Sequence, residues 1–274
     1  MTRALLGSAL RPRLGTPGVA ALVSTRSGGV SRGPFTSLNL GTAVGDEPEA
    51  VNENRRRFAA AIGAVPVFLR QMHGTRVVRL LADGSVDVWR GTVSGVDMND
   101  SSASPQADAV FTTGPGRPCV VQIADCLPVL FAAPEGKGVA AAHAGWRGLA
   151  AGVLEETVAA LCNAAGCSPG ELRAWLGPCI GPRQFEVGAE VLRAFGAEPG
   201  VRSRRFLAQG SERWVADLPA LARDRLAACG VVHVGGGHWC TVEDESRFFS
   251  HRRDRPRHGS SGRMAAAVWI ERRP

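Results

Sequence analysis

Residues 119–148 read CVVQIADCLPVLFAAPEGKGVAAAHAGWRG. Cys119–Ile123 and Leu127–Ala133 are apolar runs without polar alternation, the pattern of strands covered on both faces. Pro134-Glu135-Gly136-Lys137-Gly138 is a turn by composition. The small-residue run from Val139 forms the next strand and ends in His143. Gly145-Trp146-Arg147-Gly148 breaks that strand, and Leu149–Leu161 predicts a helix. A thiol, Cys126, and an imidazole, His143, therefore fall on neighbouring strands, with the carboxylate of Asp125 beside them. Each alone has an ordinary structural explanation, as a buried cysteine or a satisfied core histidine. Together, beside a glycine-rich break, they mark a candidate site.

The chain has 274 residues, 45% hydrophobic and 21% charged, which suits a sizeable core and argues against disorder. Its net charge is +7, and every basic residue except Lys137 is arginine. The arginines are dispersed, densest at 202–205 and 252–263, with no interleaved aromatics. That distribution suits phosphate-bearing small molecules better than nucleic acid. Seven cysteines, an odd number without framework spacing, predict reduced thiols. Ala4–Leu10 is too short for a signal-peptide core, and nothing approaches a membrane span. The expectation is a cytoplasmic protein with no membrane association and no obligate protein partner.

Residues 1–18 read as an irregular segment and 19–274 as a single domain. Val19–Thr25 predicts a strand running into a glycine-rich loop, Arg26 to Phe35, that lacks the strand–loop–helix pattern of a nucleotide-triphosphate site. Asp46 and Pro48 open a helix with an apolar face at Val51, Phe58, Ala59 and Ile62, closed by Gly63. Arg55–Arg57 lie on it and read plainly as a solvated face. Pro66–Arg70 predicts a short strand that delivers His73 to a cleft, and Val77–Leu81 predicts another. Residues 91–106 form a polar surface loop. Further on, Val187–Phe195 and Leu218–Cys229 predict helices, Ala174–Leu176, Val231–Val234 and Ala265–Ile270 predict strands, and a basic loop follows Asp254.

His73, Cys126 and His143 form a borderline-soft donor set of two imidazoles and a thiolate. With a fourth position left to water, the set matches a catalytic zinc site. The same donors suit copper, for which Met72 is the neighbouring thioether. Without a metal, Cys126 and His143 make a thiol–imidazole pair of the kind hydrolases use. A metal-dependent binding module is a further, non-enzymatic reading.

Ten motifs occur in one order: Thr25-Arg26, Ser37-Leu38-Asn39-Leu40-Gly41, Asn54-Arg55, Gln71-Met72-His73-Gly74, Ala124-Asp125-Cys126, His143-Ala144-Gly145-Trp146-Arg147-Gly148, Gly177-Pro178-Cys179-Ile180-Gly181, Cys240-Thr241, Phe249-Ser250 and Gly262-Arg263-Met264. Together they resemble the YfiH family, long described as a multicopper polyphenol oxidase (laccase) domain. The resemblance spans roughly residues 20–270. It implies an α+β fold in which mixed β-sheets are flanked by helices, in α/β/β/α layers. It also implies zinc held by His73, Cys126 and His143, and purine nucleoside phosphorylase activity on adenosine, inosine, guanosine and methylthioadenosine. Adenosine deaminase activity in the same site and peptidoglycan precursor editing are further implications. The chain departs from the family in having no tyrosine. His251 and Phe185 stand where relatives often carry one, and Arg255–Ser260 looks like a short insertion.

On that reading purine nucleosides and phosphate are the partners. Asp125 is the candidate to move protons, and Cys126, as a ligand, is unavailable as a nucleophile. Arg55, Arg147 and Arg26 are the candidates to clamp phosphate, since a guanidinium binds it bidentately. A multicopper oxidase needs several clustered histidines, and six scattered ones do not supply them.

Overall fold

A computed structural model describes residues 6, 8–90, 104–210 and 212–272. The loop expected at 91–106 lies largely outside the described residues. The main sheet has seven strands. In chain order they are β2 (Val77–Leu80), β3 (Val86–Val88), β4 (Ala109–Thr112), β6 (Leu127–Ala132), β7 (Val139–Ala144), β8 (Arg173–Leu176) and β12 (His233–Gly236). Their spatial order is β12-β8-β6-β7-β4-β2-β3, with both parallel and antiparallel neighbours. A second sheet sets β13 (Met264–Ile270) between β1 (Val19–Val23) and β5 (Cys119–Ile123). A small third sheet contains β9 (Glu186–Val187), β10 (Phe206–Ala208) and β11 (Trp214–Ala216).

The strand period of two distributes side chains between layers. On β6 and β7, Leu127, Val129, Phe131, Ala140, Ala142 and Ala144 pack toward helices α2 (Trp146–Ala151), α3 (Val153–Ala165) and α5 (Leu218–Ala228). Leu130, Ala132, Val139 and Ala141 face the second sheet, meeting Val121, Ile123, Met264, Ala266 and Val268. The outer face of that sheet, through Leu22, Val120, Ala265 and Ala267, is covered by Phe58 and Ile62 of α1 (Pro48–Ile62). The result is helix, sheet, sheet, helix. Alanines along β7 and β13 let the two sheets approach closely.

Several elements differ from expectation. The two apolar runs around Asp125 belong to different sheets: the chain crosses from β5 to β6 at Ala124–Cys126, where Asp125 takes φ 86°. The helix expected at Leu149–Leu161 is two helices, parted at Gly152, whose φ of 105° suits glycine. Pro66–Arg70 makes only an isolated bridge from Arg70 to Gln106, so no strand forms there. The basic stretch after Asp254, with the first part of the inferred insertion, belongs to α6 (His251–His258), whose N-cap Ser250 accepts from Arg253 N–H. Between β8 and α5 lie α4 (Ala189–Ala194) and the third sheet, whose short strands carry little periodicity.

The glycine-rich loop is held to α1 by one buried amide. Asn54 Oδ1 accepts from Val30 N–H, and Nδ2 donates to Ser31 Oγ, Ser37 O and Asn39 O. A Cβ on Gly29 would collide with Ser37 O and Asn54 Oδ1, so the loop closes on the amide only with glycine there. Replacing Asn54 by Ala strands several of these buried groups, a loss of about 3 kcal/mol at the usual 1–3 kcal/mol per unsatisfied group. Urea unfolding of Asn54→Ala should show that loss as a lower midpoint with an unchanged slope.

Candidate metal centre

His143 is the next-to-last residue of β7 and points, with Ala141 and Val139, toward the second sheet. Pairing of Ala109 with Ala142 carries Asp108 alongside His143, and His143 N–H donates to Asp108 O at 2.7 Å. On the same edge Pro128 of β6 faces His143, which brings Cys126 to the end of the strand pair. His73 arrives from outside the sheet, in a turn with φ 60°. Ligand atoms of His73, Cys126 and His143 all lie within 4.8 Å of one another. Cys126 Sγ is 3.7 Å from His73 Nε2, and the two imidazoles meet edge to face with centroids 4.9 Å apart.

One side chain ties two of the three together. The buried carboxylate of Asp108 accepts from the backbone N–H groups of Met72 (3.1 Å), His73 (2.8 Å) and Gly74 (2.7 Å), and lies 3.0 Å from His143 Nδ1. Burial pushes the Asp108 carboxyl up, but the hydrogen bonds from His143 and Gly74 outweigh it and hold it below the usual range. An ionised carboxylate only accepts, so Nδ1 of His143 carries the proton and Nε2 is left as its donor atom. Nothing in the sequence flagged Asp108. A carboxylate just before an apolar strand reads as a turn residue, and only strand register brings it to His143.

Space around the trio is set by the Gly-Trp-Arg-Gly segment. A Cβ on Gly145 would lie 2.9 Å from His73 Cδ2 and 3.0 Å from Cys126 Sγ. One on Gly148 would lie 2.8 Å from Gly74 O. Burial raises the Cys126 thiol, but His143 and His73 more than offset it, leaving the pKa lowered to about 6. His143 moves the other way: burial lowers it, and Cys126 and Asp108 raise it to about 9. Each group thus favours the charged form of the other when no ion is bound.

The trio opens on a cleft of about 590 Å³ whose lining also includes Arg55, Phe68, Arg70, Gln71, Gln122, His251 and Arg263. Arg55 donates through Nε to Leu40 O and stacks 4.0 Å over Phe68. Arg263 donates to Ser261 O and Gly262 O. Among the described residues neither makes an ion pair with a carboxylate. Burial lowers both pKa values, but a guanidinium stays charged.

The other sequence candidates stand elsewhere. Arg147 is exposed and stacks 4.2 Å over Trp146, and Arg26 donates to Thr36 O and Glu245 O above Phe249. Neither lines the cleft. Asp125 is buried, and its carboxylate accepts from Thr241 Oγ1 at 2.5 Å and Arg252 N–H at 2.6 Å. A carboxylate committed to two short hydrogen bonds is poorly disposed to shuttle protons.

Residues 20–271 match the family model described as multi-copper polyphenol oxidoreductase laccase. The chain is 47% identical over 255 residues to the Escherichia coli K12 protein named purine nucleoside phosphorylase YfiH, covering 92% of this chain and 94% of that one. This chain belongs to the YfiH family. A Pseudomonas aeruginosa purine nucleoside phosphorylase is also 47% identical, with the same coverage. Among solved structures, Neisseria meningitidis NMB0706 superposes with TM-score 0.83 at 42% identity, covering 96% of this chain and 99% of that one. YlmD from Geobacillus stearothermophilus gives 0.81 at 32%, covering 96% of each. The YfiH-family fold is thus an α+β assembly of mixed sheets flanked by helices, as the resemblance implied.

Two outcomes test the centre. Alkylation of metal-stripped protein by iodoacetamide should show a Cys126 phase with a midpoint near pH 6, and one equivalent of zinc should suppress it. Asp108→Asn keeps the size but loses the charge that fixes the tautomer. By chelator competition its zinc affinity should fall roughly 10- to 100-fold, and Gly145→Ala, which crowds two ligands at once, should also weaken binding.

Proposed function

We propose that this YfiH-family chain is a zinc-dependent purine nucleoside phosphorylase acting on adenosine, inosine, guanosine and methylthioadenosine, with adenosine deaminase activity in the same cleft. The observation that carries the reading is the pairing, in one cleft, of the His73–Cys126–His143 trio with Arg55 and Arg263. Two half-buried guanidinium groups without a carboxylate partner call for an anion. The trio offers two imidazole nitrogens and one thiol sulfur, a donor set that fits a tetrahedral ion with one open position. The names of the Escherichia coli and Pseudomonas aeruginosa relatives support the reaction class.

In phosphorolysis an oxygen of inorganic phosphate bonds to C1′ of the ribose as the C1′–N9 bond breaks. Arg55, one of the three arginines expected to clamp phosphate, is suited to hold the phosphate dianion and keep it oriented together with Arg263, while Arg147 and Arg26 lie away from the cleft lining. Phe68, against which Arg55 is already ordered, gives the cleft an apolar wall. Bound at the trio, zinc supplies Lewis acidity, which hydrolytic deamination requires to make a nucleophile of water at neutral pH. Copper has the same donors available, but the cleft contains no further cluster of histidines among the described residues.

A second reading has its own observation. The thiolate–imidazolium state of Cys126 and His143 is that of a thiol hydrolase, and a peptidoglycan-precursor amidase is the form consistent with the family resemblance. Chelation separates the two, since a metal enzyme loses activity and a thiol hydrolase keeps it.

Chromatography after incubation with adenosine tests the proposal directly. Adenine and ribose 1-phosphate should appear only with phosphate, and inosine should appear in both tubes. Absence of all three products from zinc-loaded protein rejects it. Arg55→Ala and Arg263→Ala should each raise KM for phosphate about 10- to 100-fold, from the 1.5–3 kcal/mol of a charge-assisted hydrogen bond, while KM for the nucleoside changes less.

A further inference from the structure

With Asp125 engaged elsewhere, the cleft must find another group to move protons. Its described lining contains no carboxylate. Its titratable side chains are His73, Cys126 and His143, which form the metal centre, the guanidinium groups of Arg55, Arg70 and Arg263, and His251. Guanidinium groups do not deprotonate in proteins, and a ligand imidazole has its second nitrogen committed to the ion. His251 is what remains.

His251 is also firmly placed. It is the first residue of α6, and the turn that carries it is pinned from several sides. Asp125 Oδ2 accepts from Arg252 N–H, buried Ser250 Oγ accepts from Arg253 N–H, and the Arg252 guanidinium donates to Gln184 O and Glu186 O. The imidazole lines the cleft wall that also carries Arg263. Asp125 is thereby a positioning residue: it links the crossing between the two sheets to the backbone that presents His251.

We propose that His251 is the proton donor to N7 of the departing purine. The inference rests on the phosphorolysis reading. As phosphate oxygen bonds to C1′, the C1′–N9 pair of electrons passes into the purine. The imidazolium of His251 gives its proton to N7, leaving a neutral base and a neutral imidazole, which takes up a proton from solvent before the next turnover. Partial burial, helped by the positive charges of Arg263, Arg255 and Arg252 and opposed by Asp125, lowers the His251 pKa. The imidazolium is then a stronger acid than free histidine. A phosphate held by Arg55 and Arg263 offsets the repulsion from Arg263 and favours the protonated form when the co-substrate is in place.

The test compares inosine with 7-methylguanosine, whose base is already cationic and needs no proton at N7. Zinc-loaded wild type, His251→Phe and His251→Gln are assayed with each nucleoside and saturating phosphate from pH 5.5 to 8.5. In both variants kcat/KM for inosine should fall about 10²- to 10⁴-fold, the usual range for general acid catalysis, while 7-methylguanosine stays close to wild type. In the wild type the ratio of inosine to 7-methylguanosine turnover should fall as pH rises through the His251 pKa more than it does in the variants, whose profile reports ionisation of the nucleosides themselves. Phosphate ionisation affects both nucleosides and cancels in that ratio. Equal losses with both nucleosides, or no loss with either, overturn the assignment of His251 alone. A wild type inert toward both nucleosides overturns the phosphorylase reading and this inference with it.

Discussion

The Asp108 carboxylate is the constraint on which the centre depends. It binds the turn of His73 through three backbone N–H groups and the ring of His143 through a fourth contact. One buried negative charge thus ties a loop residue at φ 60° to the end of a strand. Each backbone N–H alone would be a modest hydrogen bond, but a charged acceptor roughly doubles its strength. Three of them aimed at one carboxylate specify the turn. The same charge sets the tautomer of His143, so geometry and ligand chemistry have a common source.

Around that point the fold works as a pair of sheets, and one of the passages between them builds the site. The chain leaves β5, passes Asp125 and Cys126, and enters β6 in the other sheet. The crossing puts the thiol at the rim where both sheets end, beside His143 and open to the cleft. Asp125 faces the other way, toward Thr241 and the first turn of α6. Consecutive residues therefore serve opposite sides of the site, one as ligand and one as brace. Alanines at 140–142 and 265–267 let the layers approach closely enough for this rim to form.

Much of this was legible in the chain. The alternation of apolar runs with Pro–Gly turns marked β5, β6 and β7, and the acidic, Pro-opened segment marked α1. His73 precedes a glycine, His143 ends a run of small residues, and Cys126 sits with Asp125 inside an apolar run, which made the three legible. What periodicity could not show was which sheet a strand joins: Cys119–Ile123 and Leu127–Ala132 are equally apolar, yet lie in different layers. Asp108 was invisible because its partners come from strand register and a distant turn. Arg263 sat among other arginines in a basic stretch, and only burial and the cleft lining single it out. The break at Gly152 was hidden by continuous helical periodicity on either side. Arg147 and Arg26 drew attention through their motifs, but one stacks on Trp146 and the other closes a loop.

Asp108 fixes two imidazoles so that they and one sulfur can hold an ion. X-ray absorption at the zinc edge, on protein loaded with one equivalent of zinc, addresses that claim without reference to any substrate. The expected spectrum shows one sulfur at about 2.3 Å with nitrogen or oxygen neighbours at about 2.0–2.1 Å, with the sulfur lost in Cys126→Ser. A shell made only of nitrogen and oxygen in the unaltered protein, or a sulfur that persists in Cys126→Ser, would contradict it.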